Sequence, residues 1–212
     1  MQSELTNFKN PYLEEYLRGT GGVKLSTYGF PNFDIEGSIS RFQLRAESLE
    51  KYSYAIPDQE AIEALVEYSP VVEIGCGLGY WAHLVQQAGG EISPYDINVN
   101  DEGLVKLYRR DTYVKPYTEV FKGGSEVLEQ HADKTLFLCW PPYDESMAYV
   151  ASQTYLNNGG KTIIYVGEGN GGCTGDDQFH ELLEERMERV KSIYIPVWDS
   201  IHDRMEIWRV KS

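Results

Sequence analysis

Val71-Val72-Glu73-Ile74-Gly75-Cys76-Gly77-Leu78-Gly79-Tyr80-Trp81 is the stretch whose reading decides the fold. Val71, Val72 and Ile74 are apolar and β-branched, as a strand covered on both faces requires. Gly75, Gly77 and Gly79 then alternate, and a turn without Cβ atoms lets backbone come close to a ligand. Trp81, Leu84, Val85 and Ala88 follow at the spacing of one helix face. A buried strand, a glycine turn and a helix N-terminus together predict a ligand-binding turn in an open α/β sheet.

The spacing narrows the ligand. A dinucleotide fingerprint, G-x-G-x-x-G, would need glycine where Tyr80 stands. Here the pattern is G-x-G-x-G, with Glu73 two residues before the first glycine. An acid beside such a turn suits a cationic amino-acid nucleoside better than a pyrophosphate. At Glu73, Gly75, Gly77 and Gly79 the chain resembles the class I S-adenosylmethionine (SAM) methyltransferases, whose first motif is E/D-x-G-x-G-x-G. The resemblance implies SAM as cofactor. It also implies that the turn from Gly75 through Cys76 to Tyr80 and Trp81 faces the methionine part of it.

Working outward, Gly89-Gly90 stops the helix and Ile92 to Asp96 reads as a second strand, although Pro94 inside it removes a ladder donor. Asp96 lies 21 residues after Gly75. An acid at that offset can accept both ribose hydroxyls, and in the resemblance Asp96 matches the ribose acid. Leu104, Leu107 and Tyr108 suggest a short helix, and Tyr117 to Phe121 a third strand. Gly123-Gly124-Ser125 follows, where many SAM enzymes carry an adenine-binding acid. Ser125 is expected as a helix N-cap first and an adenine contact second.

Thr135 to Trp140 is a fourth buried strand that runs into Pro141-Pro142-Tyr143-Asp144. This is similar to the (D/N/S)-P-P-(Y/F) segment of amino-methylating SAM enzymes. There the first polar residue and the next carbonyl accept bonds from the target NH2, and the aromatic stacks on the target. The likeness implies that Trp140 and Pro141 border the cofactor and Tyr143 meets the acceptor. Trp140 departs from the pattern, because an indole N–H can only donate. Lys161 to Val166 is a fifth strand. A glycine-rich loop, Gly167 to Asp177, leads into a helix with Phe179, Leu182, Leu183, Met187 and Val190 on its buried face, capped by Asp176 or Asp177. Ser192 to Trp198 and Arg204 to Val210 complete the set, and their short link makes them antiparallel.

The expected fold is therefore α/β: a Rossmann-like, seven-stranded, mostly parallel sheet with a C-terminal antiparallel pair and helices on both faces. Residues 56–212 form that domain. Residues 1–55 are broken by Gly19, Gly21, Gly22, Gly29, Pro31 and Gly37, and read as an extension packed on the domain, or a lid. In an open sheet the ligand lies outside the carboxyl ends of the strands. That edge should gather the glycine turn, Trp140 to Asp144, Glu168 to Asp177, and the link holding His202 and Asp203. Tyr143, Glu168 and His202 are the candidate catalytic residues, and His180 could join them; no metal set is expected.

Composition limits the partners. The chain has 212 residues and a net charge of −14, which opposes the phosphate-neutralising surface of a nucleic-acid binder. Three cysteines, Cys76, Cys139 and Cys173, make neither a disulfide framework nor a C-x-x-C zinc pattern. No apolar run approaches a membrane span, so the default is a reduced, cytoplasmic protein. The reading that follows is a SAM-dependent methyltransferase acting at N or O of a small molecule or protein side chain. A nucleic-acid amino-methyltransferase and a non-catalytic SAM- or nucleoside-binding protein remain as alternatives.

Overall fold

The computed structural model describes residues 8–21 and 35–211. Of the N-terminal breakers, Gly22, Gly29 and Pro31 lie outside the described residues. Two helices come first, α1 (Pro11–Gly19) and α2 (Ile35–Lys51). Asn10 caps α1 by accepting from the Leu13 N–H at 3.1 Å, and Pro11 needs no partner in the first turn. The chain continues through α3 (Gln59–Glu67), β1 (Val71–Ile74), α4 (Tyr80–Gln87) and β2 (Ile92–Asp96). Three two-residue strands follow: β3 (Val105–Lys106), β4 (Tyr113–Val114) and β5 (Phe121–Lys122). A 3-10 turn (Ser125–Glu129), β6 (Thr135–Cys139), α5 (Met147–Asn157) and β7 (Thr162–Gly167) lead to α6 (Asp177–Arg186), β8 (Met187–Tyr194) and β9 (Arg204–Val210).

The main sheet has seven strands in the order β5-β2-β1-β6-β7-β9-β8. All are parallel except β9, which pairs antiparallel with β7 and with β8. The fold is Rossmann-like. Alternate residues of the inner strands feed opposite faces. Val71, Phe137, Ile164 and Val166 join Ile62, Leu65, Leu84 and Val85 in one core. Val72, Leu136, Leu138 and Ile163 join Ala151, Tyr155, Phe179 and Leu183 in the other. This is why β1, β6 and β7 read as nearly continuous apolar runs rather than alternating ones.

Pro94 is tolerated because of where β2 sits. Tyr95 faces β1, since its carbonyl accepts from Gly75 N at 2.9 Å. Pro94 therefore faces the other side, where β5 pairs only from Tyr95 onward. No outer partner is left waiting for the missing N–H.

Several sequence expectations are corrected. Leu104, Leu107 and Tyr108 do not make a helix; Val105–Lys106 pairs with Tyr113–Val114 as a small separate antiparallel sheet. The third strand is Phe121–Lys122 rather than Tyr117 to Phe121. The last long helix stops at Arg186, so Met187 and Val190 belong to β8, with Val190 exposed at a bulge. That strand ends at Tyr194 instead of Trp198.

Described residues before 56 pack in the first core. Tyr12 and Tyr16 are fully buried, Tyr16 OH donates to Val197 O at 3.0 Å, and Trp198 Nε1 donates to Tyr12 OH at 3.0 Å. Among the described residues no helix is long and apolar enough to cross a membrane.

Candidate functional site

A cavity of about 1020 Å³ opens at the carboxyl ends of β1, β2, β5 and β6. Its floor is the glycine turn. Gly75, Gly77 and Gly79 all have positive φ, at 73°, 54° and 65°, a region that L side chains resist. Gly75, Cys76 and Gly77 line the cavity, whereas Gly79 turns inward as the N-cap of α4, against Thr118 and Val120. A Cβ on Gly77 would meet nothing within 4 Å, so the turn leaves open space beside its backbone.

Two carboxylates bound this end. Glu73 is 1% exposed and its Oε2 has no hydrogen-bond partner. Burial, helped by the nearby Asp96 charge, pushes its pKa well above the usual carboxylate range. Asp96 accepts from Gly77 N at 3.0 Å and from Asn98 N at 2.8 Å, one bond to each oxygen. It thereby ties the end of β2 to the glycine turn. Burial raises its pKa, and those two N–H groups pull it back. Burial also raises the Cys76 and Cys139 thiols, which keeps both protonated.

The far side of the cavity follows β6. Trp140 sits in the left-handed region with φ 52°, just past the strand end. Three bonds hold this corner: Trp140 N donates to Val166 O at 2.8 Å, Trp140 Nε1 donates to Asp203 Oδ2 at 2.7 Å, and Gly175 N donates to Pro141 O at 2.9 Å. The ring of Tyr54 stacks on Trp140 with centroids 5.0 Å apart. Trp140, Pro142 and Tyr143 line the cavity, and Pro141 does not.

Glu168 and His202 do come together. Glu168 Oε1 accepts from His202 N at 2.8 Å and lies 3.2 Å from His202 Nδ1, while Oε2 accepts from Cys173 N at 2.9 Å. Burial alone would raise the Glu168 pKa, but these donors hold it below the ordinary value. Neither residue lines the cavity. Their pairing closes the glycine-rich loop and pins the β8–β9 link behind Trp140. His180 does not line the cavity either; its Nε2 lies 2.9 Å from Thr174 O in a buried setting.

Of the remaining expected residues, Trp81, Asp96 and Ser125 line the cavity. Tyr80 does not: its hydroxyl donates to Asn10 Oδ1 at 2.8 Å and accepts from Tyr12 N at 3.2 Å, so it anchors α1. Ser125 is not a cap; Gly124 holds that position, and its N–H goes to Glu126 Oε1 at 2.7 Å. Sequence reasoning missed Glu126, Tyr54 and the hairpin tip Tyr108-Arg109-Arg110, all of which line the cavity. The tip bridges both rims: Arg110 pairs with Glu50 of α2 at 2.7 Å, Tyr108 OH bonds Glu145 at 3.0 Å, and Arg109 pairs with Asp144. Their only sequence signal is a run of aromatic and charged residues between two short β-prone pairs.

No family model matches the chain, and no curated protein does. Solved structures do resemble it. The magnesium protoporphyrin IX methyltransferase of Synechocystis PCC 6803 with bound S-adenosylhomocysteine (SAH) is 10% identical, over 94% of each chain, at TM-score 0.45. The N-methyltransferase NodS of Bradyrhizobium japonicum WM9 in complex with SAH is 12% identical, over 77% of this chain and 91% of that one, at TM-score 0.43. A protein of the NADB-Rossmann superfamily from Streptococcus agalactiae is 11% identical, over 74% of this chain and 70% of that one, at TM-score 0.45. At such values the likenesses say nothing of ligand or reaction here, and the functional reading rests on the residues of the cavity.

Proposed function

We propose that this chain is a SAM-dependent methyltransferase acting at N or O of a small molecule or protein side chain. One observation carries the reading: a cavity floored by the glycine turn, with the unpartnered Glu73 Oε2 at its base and Asp96 beside it. A buried acceptor without a donor is unfavourable by about 1–3 kcal/mol, and a cationic ligand would remove that penalty. The α-ammonium of SAM is such a donor, and the acidic lining suits a sulfonium.

SAM supplies a methyl carbon already activated by a positive sulfur. The chain's own residues bind, orient and exclude water. Glu73 holds the ammonium, whose positive charge draws its raised carboxyl back to the ionised form, and Asp96 has lone pairs left for ribose hydroxyls after bonding Gly77 and Asn98. Glu126 and Ser125 border the adenine end. Tyr143 faces the acceptor. Residues 52–54 and the hairpin tip cover the cavity and keep water from the reacting atoms. The acceptor's lone pair forms the new bond to carbon while the electron pair of the carbon–sulfur bond stays on sulfur. Any proton on the acceptor leaves to solvent before the cover closes or after the product is released.

Glu168 acts through position rather than as a base. A carboxylate with its pKa lowered by three donors is a poor proton acceptor. The expected outcome is that Glu73→Gln and Asp96→Ala each weaken SAM binding by about 1.5–3 kcal/mol, the range for a hydrogen bond to a charged group. Glu168→Gln should leave it nearly unchanged. Titration of the folded variants by calorimetry checks all three, and unaltered affinity in Glu73→Gln would remove the ammonium assignment.

A further inference from the structure

The β3–β4 hairpin is held at its base by core and backbone and at its tip by side chains. Val105 is buried with Leu78, Val99 and Val120 in a small third core, against which Leu107, Val114 and Cys76 pack. Lys106 N donates to Asn98 O at 3.0 Å, so the base is also tied to the chain leaving β2. The base therefore rests on the glycine turn, which supplies Cys76 and Leu78. The tip is different. Residues 108–110 line the cavity, and Arg109 turns the chain in the left-handed region at φ 55°. Among the described residues, the backbone bonds of the tip stay inside the hairpin, with Leu107 N donating to Thr112 O and Arg110 N to Leu107 O, both at 3.0 Å.

Side chains carry the tip from one rim to the other. On the first rim Arg110 pairs with Glu50 of α2 at 2.7 Å; on the second, Tyr108 OH donates to Glu145 Oε1 at 3.0 Å and Arg109 pairs with Asp144. Glu50, Asp144 and Glu145 themselves line the cavity, so these contacts span its opening. Both arginines and both acids of the two ion pairs are more than half exposed. Exposed pairs are weak, each worth a factor of about 1.5–5 in population, and salt screens them. A buried base and a tip held by weak, screened pairs make a segment that can open while the sheet stays intact.

We infer that the β3–β4 hairpin is a gate over the cavity, pivoting on its Val105 base and latched by Arg110–Glu50, Arg109–Asp144 and Tyr108–Glu145. Closed, it completes the wall that keeps water from the reacting atoms; open, it admits and releases ligand. The inference rests on the methyltransferase reading only for the choice of ligand that probes it. A gate and a binding contact differ in kinetics. Releasing a latch raises the open fraction, so association and dissociation quicken by the same factor and affinity holds. Removing a ligand contact quickens dissociation alone.

The test uses the full chain and SAH, followed by stopped-flow tryptophan fluorescence, since Trp81 and Trp140 both line the cavity. In Arg109→Ala/Arg110→Ala both rate constants should rise about fivefold or more, with Kd held within about twofold. About 0.5 M NaCl should quicken the wild type in the same way and change the double variant little. Arg110→Glu should also open the gate, and adding Glu50→Arg should slow it again, a recovery that a damaged fold would not show. A second readout needs no cofactor. The chain alone is labelled with N-ethylmaleimide, and Cys76 and Cys139, half-buried thiols that line the cavity, are followed by mass spectrometry. Their labelling should quicken in Arg109→Ala/Arg110→Ala by about the factor seen in the rate constants. Unchanged SAH rates or unchanged labelling overturns the gate, and so does a rise in dissociation alone. Failure of SAH to bind wild-type protein would instead strike the methyltransferase reading, while the labelling still decides the gate.

Discussion

Glu73, Asp203 and Glu168 are three acids on one sheet edge, and their surroundings push them in different directions. Glu73 and Asp203 are raised, chiefly by burial, Asp203 to about 7. Around Asp203, Glu168 adds to the rise, while the Trp140 bond and Arg45 oppose it. The sign of the pH effect follows. Between its unfolded value of 3.8 and about 7, folded Asp203 holds more proton than unfolded Asp203. Its contribution is present at the acid end and is lost as pH rises through that window. Thermal melts of wild type and Asp203→Asn should therefore converge in the acid and separate toward neutral pH, with the variant relatively more stable there. Parallel profiles would mean that Asp203 is not raised. Glu168 runs the other way: its contribution is present above its unfolded pKa and lost as pH falls through the folded value. None of these environments is visible in the sequence. Strand order brings Glu168 and His202 to the same edge, but only the folded structure shows that Trp140 and Cys173 line the cavity while Glu168 and His202 do not.

Secondary structure was legible where independent signals agreed. At β1 and α4, β-branched residues, alternating glycines and a helical apolar spacing all pointed one way, and the boundaries match closely. Residues 104–114 were not legible. Leu104, Leu107 and Tyr108 have helical spacing, but the strands there are two residues long and too short to show a period. Met187 and Val190 continue the spacing of α6 by coincidence, because β8 begins without an intervening loop. Helix caps were readable only in part: Asp176 was one of two candidates for α6, whereas the cap expected at Ser125 falls on Gly124. Asp176 caps α6 by accepting from Phe179 N at 3.3 Å, and Asp58 caps α3 by accepting from Ala61 N at 3.1 Å. Asp58→Ala should cost about 1 kcal/mol, or roughly 2–4 °C in melting temperature for a chain of this size. An unchanged midpoint in urea would show that α3 is held by its buried face alone.

At the level of the whole molecule, one sheet separates two cores, and a single edge of that sheet gathers the glycine turn, the Pro-Pro-Tyr corner and two loops. Helices α1 and α2 and the hairpin tip are additions that the βα repeat does not contain. The fold class was legible because strand order follows from parallel crossovers and a final hairpin. These additions were not, since their bonds join residues far apart, such as Tyr16 to Val197 and Arg110 to Glu50. Charge acts at this scale too. With a net charge of −14, the chain is expected to show no tight, salt-sensitive binding to duplex or single-stranded nucleic acid near physiological salt. Filter binding across a salt series checks this. The central claim is that the cavity holds a cationic amino-acid nucleoside and not a dinucleotide. Calorimetric titration of wild-type protein with SAM, SAH and NAD tests it most directly. The account predicts saturable one-site binding of SAM and SAH and none of NAD; binding of NAD without SAM or SAH would contradict it.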